Sequence, residues 1–298
     1  MLSNQPDIYI GKYWKLINGD SCEHLSDVAD ESVDFSIYSP PFISLYTYTA
    51  SERDIGNCST REEFFEHLGY VTREVFRLTR PGRLCAVHIA QVTSTQSTHG
   101  VIGLIDLRGK LIQHQIDNGW IYHGDITIDK DPQAQAIRTH SKALLFVQKA
   151  KDSSWLRPAL ADYIAVFRKP GENGVAIKCD LTNEEWIEWA RPIWYGIRET
   201  ETLNVTEARR DDDERHICPL QLGTIHRCVR LWSNYGETVL SPFAGIGSEG
   251  YEAVKLGRRF IGCELKPEYA ACAVKNLRAA ELTRSQTGLF DGVQSCHG

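Results

Sequence analysis

The stretch that decides the fold is "TVLSPFAGIGSEGYEAVKLGRRFIGCEL", residues 238–265. A short apolar run leads into glycines at positions Gly245, Gly247 and Gly250, an amphipathic stretch follows, and a second apolar run ends on Glu264. This order predicts a strand, a tight glycine-rich turn, a helix and a parallel strand that carries an acidic side chain at its end. Units of this kind belong to α/β sheets that hold a nucleotide-like ligand at the turn.

Apolar runs alternate with amphipathic stretches through most of the 298 residues. Short apolar runs predict further strands at 13–20, 33–42, 83–90, 120–129, 142–149, 162–169, 237–243 and 258–265. Helical spacing predicts helices at 61–79, 100–119, 220–234, 244–257 and 266–282. The alternation predicts an α/β fold with a doubly wound, mostly parallel sheet.

One segment, 171–215, breaks this rhythm. It has six basic and twelve acidic residues, a sum of −6, and it contains Trp186, Trp189 and Trp194. We interpret it as an insertion or small subdomain. Residues 1–170 and 216–283 then form two halves of one domain, and 284–298 form a loose tail.

The net charge of the chain is also −6, so its acidity lies in this one segment. Residues 139–170 carry six basic and two acidic side chains, a sum of +4. A nucleic-acid partner is therefore compatible with the composition, because a local patch matters more than net charge. The nine cysteines are scattered without a CxxC pair, which predicts reduced thiols and no metal site. With no membrane-length apolar run and no export-like start, we expect a cytoplasmic protein.

The other stretch that demands an explanation is "VDFSIYSPPF", Val33 to Phe42. Two successive prolines fix the backbone and remove two N–H donors at the end of a buried strand. This is more rigidity than a turn needs.

The glycine turn is compatible with enzymes that bind NAD and with enzymes that bind adenosylmethionine. Dinucleotide-binding enzymes usually carry this turn in their first β-α unit, whereas here it lies near the C-terminus.

Taken together, the motifs resemble those of the amino-group DNA methyltransferases, in the permuted order (β class) in which the catalytic motif precedes the cofactor motif. "SPPF", Ser39 to Phe42, resembles the catalytic motif, and "FAGIG", Phe243 to Gly247, resembles the cofactor motif. Gly19-Asp20 at a strand end, "CPLQ" and "GCELKPEY" resemble the remaining cofactor segments. The resemblance covers nearly the whole chain and implies a seven-stranded-type methyltransferase sheet.

The resemblance implies S-adenosylmethionine as methyl donor and an exocyclic amine of a DNA base as acceptor. The implied catalytic residues are Ser39, Pro40, Pro41 and Phe42. The side chain of Ser39 and the carbonyl of Pro40 would accept the amine hydrogens, and Phe42 would stack on the base. The implied cofactor-binding residues are Asp20, Cys218, Pro219, Leu220, Gln221, Phe243, Ala244, Gly245, Gly247 and Glu264.

A base inside a duplex cannot reach such a pocket, so we expect it to be flipped out or presented single-stranded. Candidate DNA contacts are Tyr46, Tyr48 and Arg53 after the catalytic motif and Lys130, Arg138, His140, Lys142 and Lys151 in the basic region. By the resemblance, the segment 171–215 takes the place of a target-recognition region. An acidic segment is poorly suited to binding a long recognition sequence on DNA, which predicts weak sequence specificity. The oligomeric state, monomer or homodimer, is open.

The target base stays between two alternatives. Ser at the first motif position is usual for cytosine N4, whereas the compact layout resembles phage and prophage adenine-N6 enzymes of low specificity; we favour adenine slightly. Two alternatives from other classes are a NAD-dependent oxidoreductase, which offers no role for "SPPF", and a catalytically silent DNA-binding relative.

Overall fold

The computed structural model describes residues 6–41, 55–58, 60–94, 100, 103–203 and 219–294, and only the backbone of Arg138 and of 287–294. The strands are β1 Asp7–Ile10, β2 Trp14–Asn18, β3 Val33–Tyr38, β4 Thr79–Ala90, β5 Val92–Ser94, β6 Gly103–Ile105, β7 Ile121–Ile128, β8 Asp162–Arg168, β9 Ile193–Trp194, β10 Thr238–Ser241 and β11 Arg259–Glu264. The α-helices are α1 Ser21–His24, α2 Arg61–Leu78, α3 Leu107–Asp117, α4 Pro132–Thr139, α5 Phe146–Lys151, α6 Asn183–Trp189, α7 Leu222–Trp232, α8 Ser248–Lys255 and α9 Pro267–Gln294.

Nine of these strands form one sheet in the order β1-β2-β11-β10-β3-β4-β8-β7-β9. The five strands from β2 to β4 in this order are mutually parallel, while β8 runs antiparallel to both β4 and β7. The predicted mostly parallel, doubly wound sheet is therefore confirmed. The short edge strands β1 and β9 add two strands to the seven expected.

Helices cover both faces of the sheet. Helices α7, α8 and α9 pack with one hydrophobic cluster, and α2 and α3 pack with the other. Helix α2 starts where Thr60 accepts a 3.1 Å hydrogen bond from the amide of Glu63, and its apolar positions, including Phe64 and Leu68, are buried. The two buried clusters hold the parallel strands rigidly between them.

The chain changes direction between β10 and β3, which are neighbours in the sheet. From β10 the chain passes through α8 to β11 on one side, whereas from β3 it passes through α2 to β4 on the other. This is the topological switch point of a doubly wound sheet, where a crevice opens at the carboxyl ends of the strands. The described residues 39–41 after β3 and the glycine turn after β10 both follow strand ends at this point.

Three sequence expectations are wrong in detail. Residues 142–149 are not a strand: they form a 3₁₀ turn at Lys142–Leu144 and then enter α5. Periodicity cannot separate a short apolar helix from a strand, and here β8 already occupies the position between β4 and β7. The helix expected from residue 100 begins at Leu107, because Asp106 caps it by accepting from the Gly109 amide at 2.9 Å. The expected loose tail after residue 283 is helical as far as Gln294.

The described part of the 171–215 segment is attached to the edge of the sheet. Strand β9 pairs with β7, and the fully buried Trp194 belongs to the main hydrophobic cluster rather than to a core of its own. Trp189 is buried and Trp186 is exposed. The domain boundaries remain predictions, and residues 204–215 lie outside the described ones.

Candidate active site

The two motifs meet at the switch point. Strand β3 leads directly into Ser39, Pro40 and Pro41, and β10 leads into Pro242 and the glycine turn. The strands pair in parallel, with Val239 opposite Phe35. Beyond the paired residues, the rings of Tyr38 and Phe243 lie 5.8 Å apart. Residues more than two hundred positions apart in sequence therefore share one crevice.

The glycine turn is tied to the acidic end of β11. The amide of Gly245 donates to Glu264 Oε2 at 2.8 Å, and the amide of Lys266 donates to Glu264 Oε1 at 2.8 Å. Gly245 has a φ of +53°, and a Cβ added there would have no heavy atom within 4 Å. The backbone of the turn thus faces open space, as close approach of a ligand requires.

The other two glycines allow the helix to pack closely. A Cβ on Gly247, whose φ is +86°, would lie 3.1 Å from the Cβ of Ala273. A Cβ on Gly250 would lie 2.5 Å from the ring of Phe260 and 2.6 Å from Leu277. The spacing of the three glycines therefore reflects two demands: an open turn at Gly245, and close contact of α8 with β11 and α9.

Gly19 and Asp20 lie beside the same acidic residue. The amide of Gly19 donates to the carbonyl of Glu264 at 2.9 Å, and the side-chain amide of Asn18 donates to that carbonyl at 2.8 Å. Asp20 caps α1 by accepting from the amide of Cys22 at 2.9 Å. The ends of β2, β11 and β10 thus bring Asp20, Glu264 and the glycine turn to one edge of the sheet.

Three buried polar atoms without partners belong to segments that the resemblance assigns to the cofactor or to residues next to them. Gln221 Oε1, just before α7, and the hydroxyls of Ser241 and Ser248 on either side of the turn have no hydrogen-bond partner among the described residues. A buried polar atom left unpaired costs about 1–3 kcal/mol, so such a group indicates a place for a polar ligand. The side chains of Leu220 and Ala244 belong to the main core instead. Pro219 is partly exposed, and Cys218 lies outside the described residues.

A chain of polar side chains stands behind the catalytic motif. Ser39 Oγ lies 3.1 Å from His88 Nδ1, and His88 Nε2 lies 3.3 Å from Asp162 Oδ2. Lys130 Nζ contacts the same carboxylate oxygen at 2.7 Å. Burial by itself would raise the pKa of Asp162, but the polar contact with His88 and the charge of Lys130 hold this pKa well below its usual range.

Sequence reasoning missed His88 and Asp162. His88 sits in the apolar run "RLCAVHIA" near the carboxyl end of a buried strand, and polar side chains at that position in a parallel sheet are the available signal. The prediction that Lys130 contacts DNA is contradicted. Its side chain is 4% exposed and lies against Asp162, so it is not available to a phosphate.

A third missed residue is Glu249, in the first turn of α8. It is buried, and burial together with the charge of Glu264 raises its pKa to about 8, although a backbone hydrogen bond acts in the opposite direction. The carboxyl group of Glu249 therefore stays largely neutral beside the glycine turn, because it is buried away from water.

The remaining predicted DNA contacts fall into two groups. His140, Lys142 and Lys151 are exposed, on the segment between β7 and β8 that ends at Asp162. Tyr46, Tyr48 and Arg53 lie outside the described residues, and so does the side chain of Arg138. The predicted catalytic residue Phe42 also lies outside them. Within the described ranges no group of acidic, His and Cys side chains could hold a metal ion, and no helix there is long and apolar enough to span a membrane.

Comparison with known proteins identifies the class. The N6_N4_Mtase family of DNA methylases matches residues 33–275, so the chain belongs to that family. The type II methyltransferase M.BglI of Bacillus subtilis is 29% identical over 184 residues, which are 61% of this chain but 46% of that protein. The type II methyltransferase M.MjaI of Methanocaldococcus jannaschii is 25% identical over 84% of this chain and 86% of its own.

A solved methylase structure superposes on most of this chain. A DNA modification methylase candidate from Thermus thermophilus, complexed with S-adenosyl-L-methionine, superposes with a TM-score of 0.67 at 25% identity, covering 88% of this chain and 92% of that one. The α/β methyltransferase fold is thus confirmed, and the oxidoreductase alternative is contradicted. The protein is a DNA amino-methyltransferase whose cofactor is S-adenosylmethionine.

Proposed function

We propose that this enzyme methylates the exocyclic amine of a base flipped out of DNA, with adenine N6 as the favoured target and low sequence specificity. The observation that carries the proposal is that the carboxyl end of β3, which leads into the catalytic motif, lies beside β10 and Phe243 of the glycine turn at the switch point. S-adenosylmethionine supplies an electrophilic methyl group when bound. The residues of this chain have to bring the amine to it and orient its lone pair.

The amine nitrogen is a poor nucleophile, because its lone pair is delocalised into the base. In the proposed arrangement Ser39 Oγ and the carbonyl of Pro40 accept its two hydrogens, which turns the lone pair away from the ring. The two prolines keep that carbonyl from moving, so the acceptors are in position before the base arrives. Phe42 stacks on the base. Ser39→Ala should lower kcat about 100-fold with unchanged affinity for S-adenosylmethionine.

For the cofactor, we propose that Asp20, Gln221, Glu264 and the backbone at Gly245 hold the adenosine and methionine parts. Each oxygen of Glu264 already accepts one backbone N–H. Glu264 ends β11 beside the glycine turn, where an acidic side chain suits the ribose hydroxyls of a nucleotide-like ligand. The unpaired Gln221 Oε1 would gain a partner from the ligand.

For DNA, we propose that the surface between β7 and β8 contacts the phosphates through His140, Lys142 and Lys151. Asp162 at the end of this segment touches His88, which in turn touches Ser39, so the basic surface begins next to the catalytic motif. Phe146 and Trp155 of the same segment are 68% and 59% exposed, and exposed aromatic rings beside lysines suit unstacked bases.

The double substitution Lys142→Ala/Lys151→Ala tests this surface. Each lost phosphate contact should reduce the slope of log K against log salt by about 0.9 for duplex DNA. Lys255→Ala is the control, because this exposed lysine ends α8, the helix that runs from the carboxyl end of β10 back to the amino end of β11. An unchanged salt slope in the double variant would contradict the assignment.

Cytosine N4 is the second candidate acceptor, since Ser39 stands where adenine enzymes usually have Asp. Methylation of unmodified DNA followed by mass spectrometry of the nucleosides decides between the two. N6-methyladenosine without N4-methylcytidine is the expected result, and the reverse would overturn the preference for adenine. Sequencing the modified positions tests low specificity: one fixed recognition sequence would refute it.

A further inference from the structure

The side chains behind Ser39 form a continuous line from the catalytic motif into the interior. They come from four separate segments: Ser39 after β3, His88 on β4, Asp162 at the start of β8 and Lys130 after β7. The successive contacts measure 3.1, 3.3 and 2.7 Å. A line that four segments must fold together to form is not a by-product of local sequence.

These groups are buried, which makes their pairing expensive. The side chains of His88, Asp162 and Lys130 are 9%, 15% and 4% exposed. Removing an ion pair from water costs about as much as its mutual attraction returns, so a buried pair is weak evidence for a contribution to stability. The line of polar contacts ends on Ser39, and a role in that neighbouring site accounts for the buried pair better than stability does.

The protons along this line can be assigned in order. Lys130 keeps Asp162 ionised, so the carboxylate can only accept a hydrogen bond. His88 Nε2 is buried and has no partner among the described residues apart from its contact with Asp162. The favoured tautomer of a neutral His88 therefore carries its proton on Nε2 and leaves the lone pair on Nδ1. The Ser39 hydroxyl, 3.1 Å away, then donates to Nδ1.

We propose that His88, held by Asp162 and Lys130, is a positioning residue that occupies the hydroxyl proton of Ser39, so that the serine oxygen presents only lone pairs to the target amine. The inference rests on the proposed role of Ser39 as an acceptor. A free serine hydroxyl can donate as well as accept. With its proton engaged by His88, the neutral oxygen of Ser39 acts toward the amine as an acceptor only.

The first test reads the tautomer directly. Nitrogen-15 NMR of the imidazole rings, with the His88 signals assigned by their loss in His88→Asn, should find the proton on Nε2 in the wild-type protein. In Lys130→Met/Asp162→Asn, which removes both charges of this pair together, this preference should weaken; Lys130 also lies 3.9 Å from Glu199 Oε2, so Lys130→Met/Glu199→Gln is the matched control that keeps Asp162 and should retain the proton on Nε2. A wild-type His88 with its proton on Nδ1 would overturn the proposal.

The second test separates positioning from packing. His88→Phe removes the acceptor but retains a ring, and we expect kcat to fall about 100-fold with the KM for DNA and S-adenosylmethionine within about twofold. His88→Asn keeps a hydrogen-bonding atom near the place of Nδ1 and should recover part of the loss. Unchanged S-adenosylmethionine binding shows that each variant is folded.

The outcomes distinguish this inference from the proposed function. If Ser39→Ala is inactive and His88→Phe has wild-type kcat, the positioning role is wrong and the acceptor role of Ser39 stands. If Ser39→Ala is fully active, the acceptor role itself fails, and the inference fails with it. Equal losses in His88→Phe and His88→Asn would also contradict the inference, because hydrogen bonding would then not matter.

Discussion

The substitution Gly245→Ala should remove much of the affinity for S-adenosylmethionine while the protein remains folded. A Cβ at this position would meet no heavy atom within 4 Å, so the added methyl would project into the crevice that the cofactor has to fill. Forcing an extra methyl into a filled site costs about 1–3 kcal/mol, which corresponds to about 5- to 150-fold in Kd. Isothermal titration calorimetry with S-adenosylmethionine measures the change.

Backbone strain has to be separated from this steric effect. Gly245 has a φ of +53°, and an alanine in the left-handed region costs about 1–2 kcal/mol of stability. Gly236→Ala is the matched control: its φ is +80°, its Cβ would also meet nothing within 4 Å, and it lies at the other end of β10. Both variants should lose several degrees of Tm, since 1 kcal/mol corresponds to about 2–4 °C in a chain of this size.

Only Gly245→Ala should lose cofactor affinity. Wild-type Kd in this variant would refute the assignment of the turn to the cofactor. An equal loss in Gly236→Ala would refute the reasoning in another way, because strain spread through the strand, and not a methyl in the crevice, would then be the cause.

Two further predictions concern stability near the same turn. Gly250→Ala should cost about 1–3 kcal/mol and lower Tm, because its Cβ would lie 2.5 Å from Phe260 and 2.6 Å from Leu277; an unchanged Tm would contradict this packing. Burial, and next the charge of Glu264, raise the pKa of Glu249 from 4.5 to about 8. The folded protein therefore keeps the Glu249 proton at pH values where the unfolded chain has lost it. The contribution of the protonated Glu249 to the free energy of unfolding falls as pH rises through that interval. Glu249→Gln should lack that fall in Tm between about pH 5 and pH 9, and parallel curves for the two proteins would show the raised pKa to be wrong.

Sequence patterns predicted the sheet well wherever a segment has both a clear period and a clear boundary. The strand, glycine turn and helix at residues 238–255 are of this kind, since the turn residues punctuate the apolar runs. The strand predicted at residues 142–149 is wrong, because eight residues of mixed apolar character fit the helical period as well as the strand period. The position between β4 and β7 is occupied by β8. Strand β1 was not predicted, because its side chains are mostly exposed and show no apolar pattern. It forms a strand through its antiparallel pairing with β2.

The sequence by itself determined the chemical class, because the motifs that we propose for the cofactor and the amine are short and depend on local backbone geometry: two prolines, three glycines and an acid at a strand end. The tertiary structure alone decided what Ser39 meets and what Lys130 does. His88, Asp162 and Lys130 converge from strands and loops separated by up to seventy-four positions, and no local pattern encodes that meeting. Hydrogen bonds and charges act within a few ångströms, so the environment of the serine exists only once the strands are side by side.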